Sequence, residues 1–296
     1  MGNILIKQFY KQRKDFEDSC VGRDAGLTFP EGVICSTDIA YADDGIKAHM
    51  LDIYRPEDSQ EKILPVIINV HGGGLIIGNK EFNRYFCALL CKKGFLVYSI
   101  EYRLIPDCLM YDQISDVFMA MDYIKERLAA DGGDLSHVYM AGDSGGACLI
   151  TYANAIQNST NIARAANVTP SGLRINALGL ISGMFYTSRF DKIGLFLPKY
   201  LYGRDYKKTS FAKYVNPENR ELLNSLAPVW LVTSHNDFLR RYTTDFEKAL
   251  TRAEREHELV AFPKNKKLTH AFSVFEPFLS ESSEVIDMMV EYFRKF

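Results

Sequence analysis

A serine flanked by glycines, Gly142-Asp143-Ser144-Gly145-Gly146, follows an apolar run beginning at Val138 and precedes a run of small and apolar residues ending at Ile150. A sharp strand-to-helix turn needs glycines on both sides of its central residue, because a side chain there would strike neighbouring backbone. Such a turn lifts the Ser144 hydroxyl out at the end of a sheet, aimed at the start of a helix, and marks it as a candidate nucleophile. A serine hydroxyl is a weak nucleophile at neutral pH and needs a base within hydrogen-bond reach. Attack on an acyl carbon also needs N–H donors for the oxyanion that forms, each commonly worth about 10²–10³ in turnover.

The rest of the chain supplies candidates for each part. His71-Gly72-Gly73-Gly74 directly follows the apolar run Ile63–Val70, and its glycines leave backbone N–H groups uncovered. The expected oxyanion donors are the N–H groups of Gly73, Gly74 and Gly145, with His71 shaping the loop. Three histidines follow the serine: His235, His257 and His270. His257 begins an expected strand, and His235 stands two residues before a better acid candidate. His270, in Leu268-Thr-His-Ala-Phe272, falls on a loop between the last expected strand and the last expected helix, and is the expected base. Asp237 lies just past the apolar run Val229–Val232, 93 residues after Ser144 and 33 before His270. It is the expected acid. The order Ser, Asp, His is the one an α/β-hydrolase sheet imposes on such a relay.

These residues need a sheet to hold them. Runs at 63–70, 95–100, 138–141, 175–182 and 229–232 are almost wholly apolar, as in parallel strands buried on both faces. Between them lie helical patterns: Ile114, Val117, Met121, Ile124 and Leu128 recur at spacings of three and four until Gly132-Gly133. The alternation predicts an α/β fold with a doubly wound, mostly parallel sheet. Residues 34–42 and 48–54 read as a hairpin about Asp43-Asp44-Gly45, 258–262 as a last strand, and 243–256 and 282–296 as helices. Residues 184–214 hold nine aromatics in 31 residues without a strand period. They predict a helical insertion over the top of the sheet, its aromatics serving its own core or facing substrate. The expected organisation is one domain, 1–296, with cap elements at about 1–30 and 184–220.

The totals narrow the function classes. With 35 basic and 37 acidic residues the chain is close to neutral, which gives no electrostatic case for nucleic acid. No apolar run approaches a membrane span. The opening Met1–Lys7 is too short in apolar residues for a signal peptide, so the cytoplasm is the expected compartment. Six cysteines without a Cys-x-x-Cys pair read as buried thiols. Cys87 and Cys91, four apart on a helix, lack companions for a metal site.

Taken together, His71-Gly-Gly-Gly74, Glu101-Tyr-Arg-Leu-Ile-Pro106, Gly142-Asp-Ser-Gly-Gly146, Asp237-Phe-Leu-Arg240 and His270-Ala-Phe272 resemble the hormone-sensitive-lipase-like branch of the α/β-hydrolase esterases. The resemblance spans roughly residues 34–296. It implies the α/β-hydrolase fold, a cap over the active site, and hydrolysis of small carboxylic esters, usually with short acyl chains, without metal or organic cofactor. Its nucleophile, acid and base map to Ser144, Asp237 and His270, and its oxyanion glycines to Gly73, Gly74 and Gly145. The chain departs from the family where Ala often replaces Gly145 or Gly146, where Ala-Pro-Glu stands for Ile105-Pro-Asp107, and where Pro stands for Phe238. Gly-Asp-Ser-Gly-Gly also resembles the nucleophile motif of trypsin-like proteases, but that fold is all-β with its His and Asp ahead of the serine. An amidase or peptidase on the same fold, and a small-molecule receptor that has lost catalysis, are the competing functions. The partner expected is a small ester, with neither nucleic acid nor stable membrane insertion; a homodimer stays open.

Overall fold

A computed structural model describes residues 2–59 and 62–296. The strands are β1 (Val33–Ala40), β2 (Met50–Pro56), β3 (Leu64–Val70), β4 (Leu96–Ile100), β5 (Gly133–Asp143), β6 (Ala177–Ile181), β7 (Val229–Ser234) and β8 (His257–Phe262). They form one sheet in the order β1-β2-β4-β3-β5-β6-β7-β8. The β1/β2 and β2/β4 pairs are antiparallel, and from β4 to β8 every pair is parallel. The α/β expectation is met strand by strand, with ends shifted by a few residues.

The helices are α1 (Gly2–Asp24), α2 (Arg84–Lys92), α3 (Met110–Arg127), α4 (Ser144–Asn158), α5 (Thr160–Ala166), α6 (Lys192–Phe196), α7 (Pro198–Leu201), α8 (Arg220–Asn224), α9 (Arg240–Arg252), α10 (Phe272–Phe275) and α11 (Ser280–Phe293). Two layers sandwich the sheet. Val66, Ile68 and Val70 of β3 share one core with Ile114 and Val117 of α3 and Ile150 of α4. Ile67, between them in sequence, packs with Phe86 of α2 and Val285 and Met289 of α11 on the other face. Burial on both faces is why the central strands read as unbroken apolar runs. Among the described residues, no helix is long and apolar enough to cross a membrane.

The aromatic stretch departs from the expected helical insertion. It holds only the short helices α6 and α7 and two single 3₁₀ turns, Tyr206–Lys208 and Ser210–Tyr214. Pro198 accounts for one interruption, since it starts α7 at a position where its missing N–H is not needed. Gly203, at φ +88°, follows the end of α7. The aromatics act chiefly as this stretch's own core: Phe211 packs with Tyr202 and Tyr214, and with Tyr111 of α3 and Tyr152 of α4. Phe190 and Phe196 stay exposed. Residues 2–30, within the expected first cap element, hold the single helix α1.

Candidate active site

The site lies where β5 turns into α4. Ser144 is the first residue of α4 and takes φ +49°, a left-handed conformation rare for a non-glycine residue. Gly142 and Gly146 make that turn possible. A Cβ on Gly146 would stand 2.1 Å from the Val70 carbonyl oxygen, and one on Gly142 2.8 Å from the same atom. The Ser144 carbonyl accepts from the Met184 N–H at 2.9 Å, which ties the turn to the end of β6.

Ser144 Oγ lies 2.9 Å from His270 Nε2, and His270 Nδ1 lies 2.7 Å from Asp237 Oδ1. A carboxylate only accepts, so Nδ1 carries the proton and Nε2 is left to accept from the serine hydroxyl. The structure therefore brings together all three residues selected from the sequence. His235 and His257 lie elsewhere: His235 Nδ1 meets the Arg240 guanidinium, and His257 meets Thr251 and the Arg255 carbonyl.

Asp237 is almost fully buried. Burial pushes its carboxyl up, but the His270 hydrogen bond and charge, the Leu239 N–H and the Ser182 hydroxyl outweigh this and hold it below its ordinary value. Leu239 donates to Oδ1 at 2.8 Å and the Thr233 hydroxyl to Oδ2 at 2.9 Å. A carboxylate held this way stays ionised and fixes the imidazole's orientation.

Gly73, Gly74 and Leu75 follow β3 at φ +108°, +62° and +68°, three left-handed residues in succession. The turn is closed by Ile76 and Ile77 donating to the Gly73 carbonyl. A Cβ on Gly145 would come within 2.9 Å of the Gly74 nitrogen and 2.8 Å of the Leu75 nitrogen, so the glycine loop rests against the start of α4. Among the described residues, the N–H groups of Gly73, Gly74 and Gly145 meet no acceptor in the protein. They stand free beside Ser144 at a helix N-terminus, where partial positive charge accumulates.

His71 takes the loop-shaping place expected of it. Its Nε2 meets Glu101 Oε1 at 2.8 Å, its Nδ1 meets the Gly72 carbonyl at 2.8 Å, and its ring stacks on Tyr102. Burial disfavours its protonation, yet the adjacent Glu101 carboxylate prevails and holds the imidazole above its usual value.

Three supporting residues had no role in the sequence reading. Asp143 Oδ1 accepts from the Gly72 N–H at 2.9 Å and from Asn83 Nδ2 at 3.0 Å, clamping the glycine loop to the nucleophile turn. Burial pushes the Asp143 carboxyl up, against the pull of Asn83 and the two histidines. Ser182 Oγ accepts from the Ala271 N–H at 3.1 Å and so steadies the His270 loop. Asp143 stood inside a noted motif, and its place between Gly142 and Ser144 was the available signal. For Asn83 and Ser182 the sequence carries no distinguishing pattern.

Of the six thiols, all but Cys35 are buried; Cys35 lies partly open on the edge strand β1, a correction to the expectation. Burial pushes the thiols of Cys91, Cys108 and Cys148 up to about 12, which leaves them poor nucleophiles.

The chain is similar to several known proteins. A probable isoprenylcysteine α-carbonyl methylesterase of Oryza sativa subsp. japonica is 29% identical over 184 residues, 58% of this chain and 44% of that protein. An amyloplastic tuliposide A-converting enzyme of Tulipa gesneriana is 30% identical over 131 residues, 40% of this chain and 35% of the relative. The chain thus spans less than half the length of these relatives. Among solved structures, esterase B of Lactobacillus rhamnosus superposes with a TM-score of 0.92 at 23% identity, covering 100% of this chain and 96% of the other. A further structure of that esterase, with a C4-C4 tributyrin phosphonate, matches equally well. The family model described as the α/β hydrolase fold matches residues 67–273, most of the sheet and every residue of the Ser144–His270–Asp237 relay. The chain belongs to the α/β-hydrolase fold family.

Proposed function

We propose that this chain is a serine hydrolase that cleaves small carboxylic esters with short acyl chains through an acyl-enzyme. The observation that carries the reading is the Ser144–His270–Asp237 relay, at 2.9 and 2.7 Å, beside three unpaired amide N–H groups. As Ser144 Oγ bonds to the ester carbonyl carbon, its proton passes to His270 Nε2, and Asp237 stabilises the imidazolium. Gly73, Gly74 and Gly145 donate to the oxyanion. Collapse breaks the C–O bond to the alcohol, which takes the Nε2 proton and leaves. Water then adds to the acyl-enzyme with His270 as base, and the acid departs as the proton returns to Ser144.

Short acyl chains are supported by the fold neighbour solved with a C4 phosphonate. On this reading α1 and residues 184–220 form a cover over the C-terminal edge of the sheet. The six unpaired cysteines favour a reducing compartment such as the cytoplasm.

Replacing Ser144 with Ala is expected to lower turnover of 4-nitrophenyl butanoate by about 10⁶, by analogy with serine proteases. It should also abolish labelling by a fluorophosphonate. A variant that still hydrolyses the ester at the wild-type rate refutes the assignment.

A further inference from the structure

Phe238 follows the acid in sequence and turns back onto the base. Its ring centroid stands 4.3 Å from that of the His270 imidazole, with the planes inclined by 43°. Yet the residue is 74% exposed, while His270 and Ser144 beside it are nearly covered. Phe190 is exposed as well, but among the described residues no aromatic ring or cation stacks on it, and lone apolar residues on a surface need no explanation. What distinguishes Phe238 is its place. In ester cleavage the departing alkoxide must take its proton from His270 Nε2, so the alcohol half of the substrate has to lie on the His270 side of Ser144. A ring packed on that imidazole, with its other surface open, flanks the space the alcohol enters.

We infer that Phe238 forms the wall of the alcohol subsite and that the substrates are esters of apolar alcohols, alkyl or aromatic. This rests on the esterase reading. An apolar alcohol laid on the open ring buries surface on both partners, and an aromatic one adds an offset or edge-on ring contact. Ethanol is too short to reach much of that surface.

The test uses three butanoate esters, of ethanol, hexan-1-ol and benzyl alcohol, with the wild type, Phe238→Ala and Phe238→Leu. All three esters pass through the same butanoyl-enzyme, so differences in kcat/KM report only acylation, the step in which the alcohol is still present. Phe238→Ala should lower the benzyl-to-ethyl and hexyl-to-ethyl ratios of kcat/KM about tenfold, the discrimination a lost apolar contact commonly brings. Phe238→Leu should restore most of the hexyl ratio and little of the benzyl ratio. The exposure of Phe238 makes both variants tolerable to the fold. Unchanged ratios overturn the inference. So does a parallel fall for all three esters with slower hydrolysis of the common butanoyl-enzyme, which would mean the ring only positions His270. If the wild type hydrolyses none of the esters and Ser144 takes no fluorophosphonate, the esterase reading itself fails and the inference falls with it.

Discussion

At the C-terminal edge of the sheet, Ser144, Gly73, Gly74 and Leu75 hold left-handed backbone angles next to the fully buried Val70 and His71. Against the loops that follow β3 and β4 lies α1, which buries only Phe9 and Cys20 of its described side chains. The two regions hold their shape by different means. In the floor, backbone approaches backbone: Gly146 against the Val70 and His71 carbonyls, and Gly145 against the Gly74 and Leu75 amides. In α1 and residues 184–220, proposed above as the cover, side chains do the holding. Arg13 donates to the carbonyls of Ile76, Leu104 and Ile105 and pairs with Asp107, and Phe9 packs edge-on against Tyr200. Strain at an active site persists only where surrounding structure over-determines it. The floor therefore tolerates almost no change, whereas the cover can vary.

Short of removing Ser144 itself, the largest effect should come from Asp237→Asn. An amide cannot hold the imidazole in the required tautomer, and kcat should fall about 10⁴, again by analogy with serine proteases. The same variant separates chemistry from stability. The Asp237 carboxyl sits below its ordinary value of 3.8 in the folded chain, so folding favours its ionised form. That contribution is whole above pH 3.8 and is lost as pH falls through the lowered folded value. Asp237→Asn has nothing to lose there. Its melting temperature should decline less steeply below pH 3.8 than that of the wild type, as read by thermal denaturation across the acid range. Equal slopes would mean Asp237 is not held by its partners as described.

The next contrast uses one substitution in each region. Gly146→Ala places a Cβ 2.1 Å from a backbone carbonyl oxygen in the floor. Nothing nearby can yield except the strand itself, and the cost should be about 3 kcal/mol, at the upper end for overpacking. Gly203→Ala, in the cover, meets nothing nearer than a Leu109 methyl at 4.0 Å. Only its φ of +88° opposes the change, which should cost about 1 kcal/mol. Urea midpoints of the two variants measure the difference. Equal losses would erase the distinction between floor and cover.

The same division separates what the sequence made legible from what it did not. The floor depends on glycines at required positions and on strands buried on both faces, and both leave local signatures. Gly142-Asp-Ser-Gly-Gly146, His71-Gly-Gly-Gly74 and the run Ile63–Val70 are readable because steric necessity dictates residue type. Asp237 and His270 were found through chain order and their places past strands. The cover leaves no such trace. Its turns are too short for a helical period, so the aromatics from Phe185 to Tyr214 suggested longer helices than α6 and α7. Asn83 and Ser182 act through hydrogen bonds across the fold, to Asp143 and from Ala271, at sequence separations of 60 and 89 residues. No local pattern encodes a contact of that kind.

Arg13 gives the smallest effect and the most direct test of the cover. Its guanidinium supplies donors to three carbonyls on two loops, one of them Ile76, immediately after the left-handed Leu75. Arg13→Met keeps the apolar stem and removes every donor. Three fully buried carbonyls left without partners would cost several kcal/mol, but these are only part-buried under a mostly exposed helix, and water can reach them once the anchor is gone. The expected loss is about 1 kcal/mol of stability. It should come with faster amide exchange confined to α1 and to the segment 104–107. Ester turnover should stay within about threefold, because Gly73 and Gly74 are held from the other side by the Asp143–Gly72 bond and by the start of α4. Protection lost across β3 and β5 as well would show that the helix is part of the floor, and that the Leu75 conformation depends on Arg13.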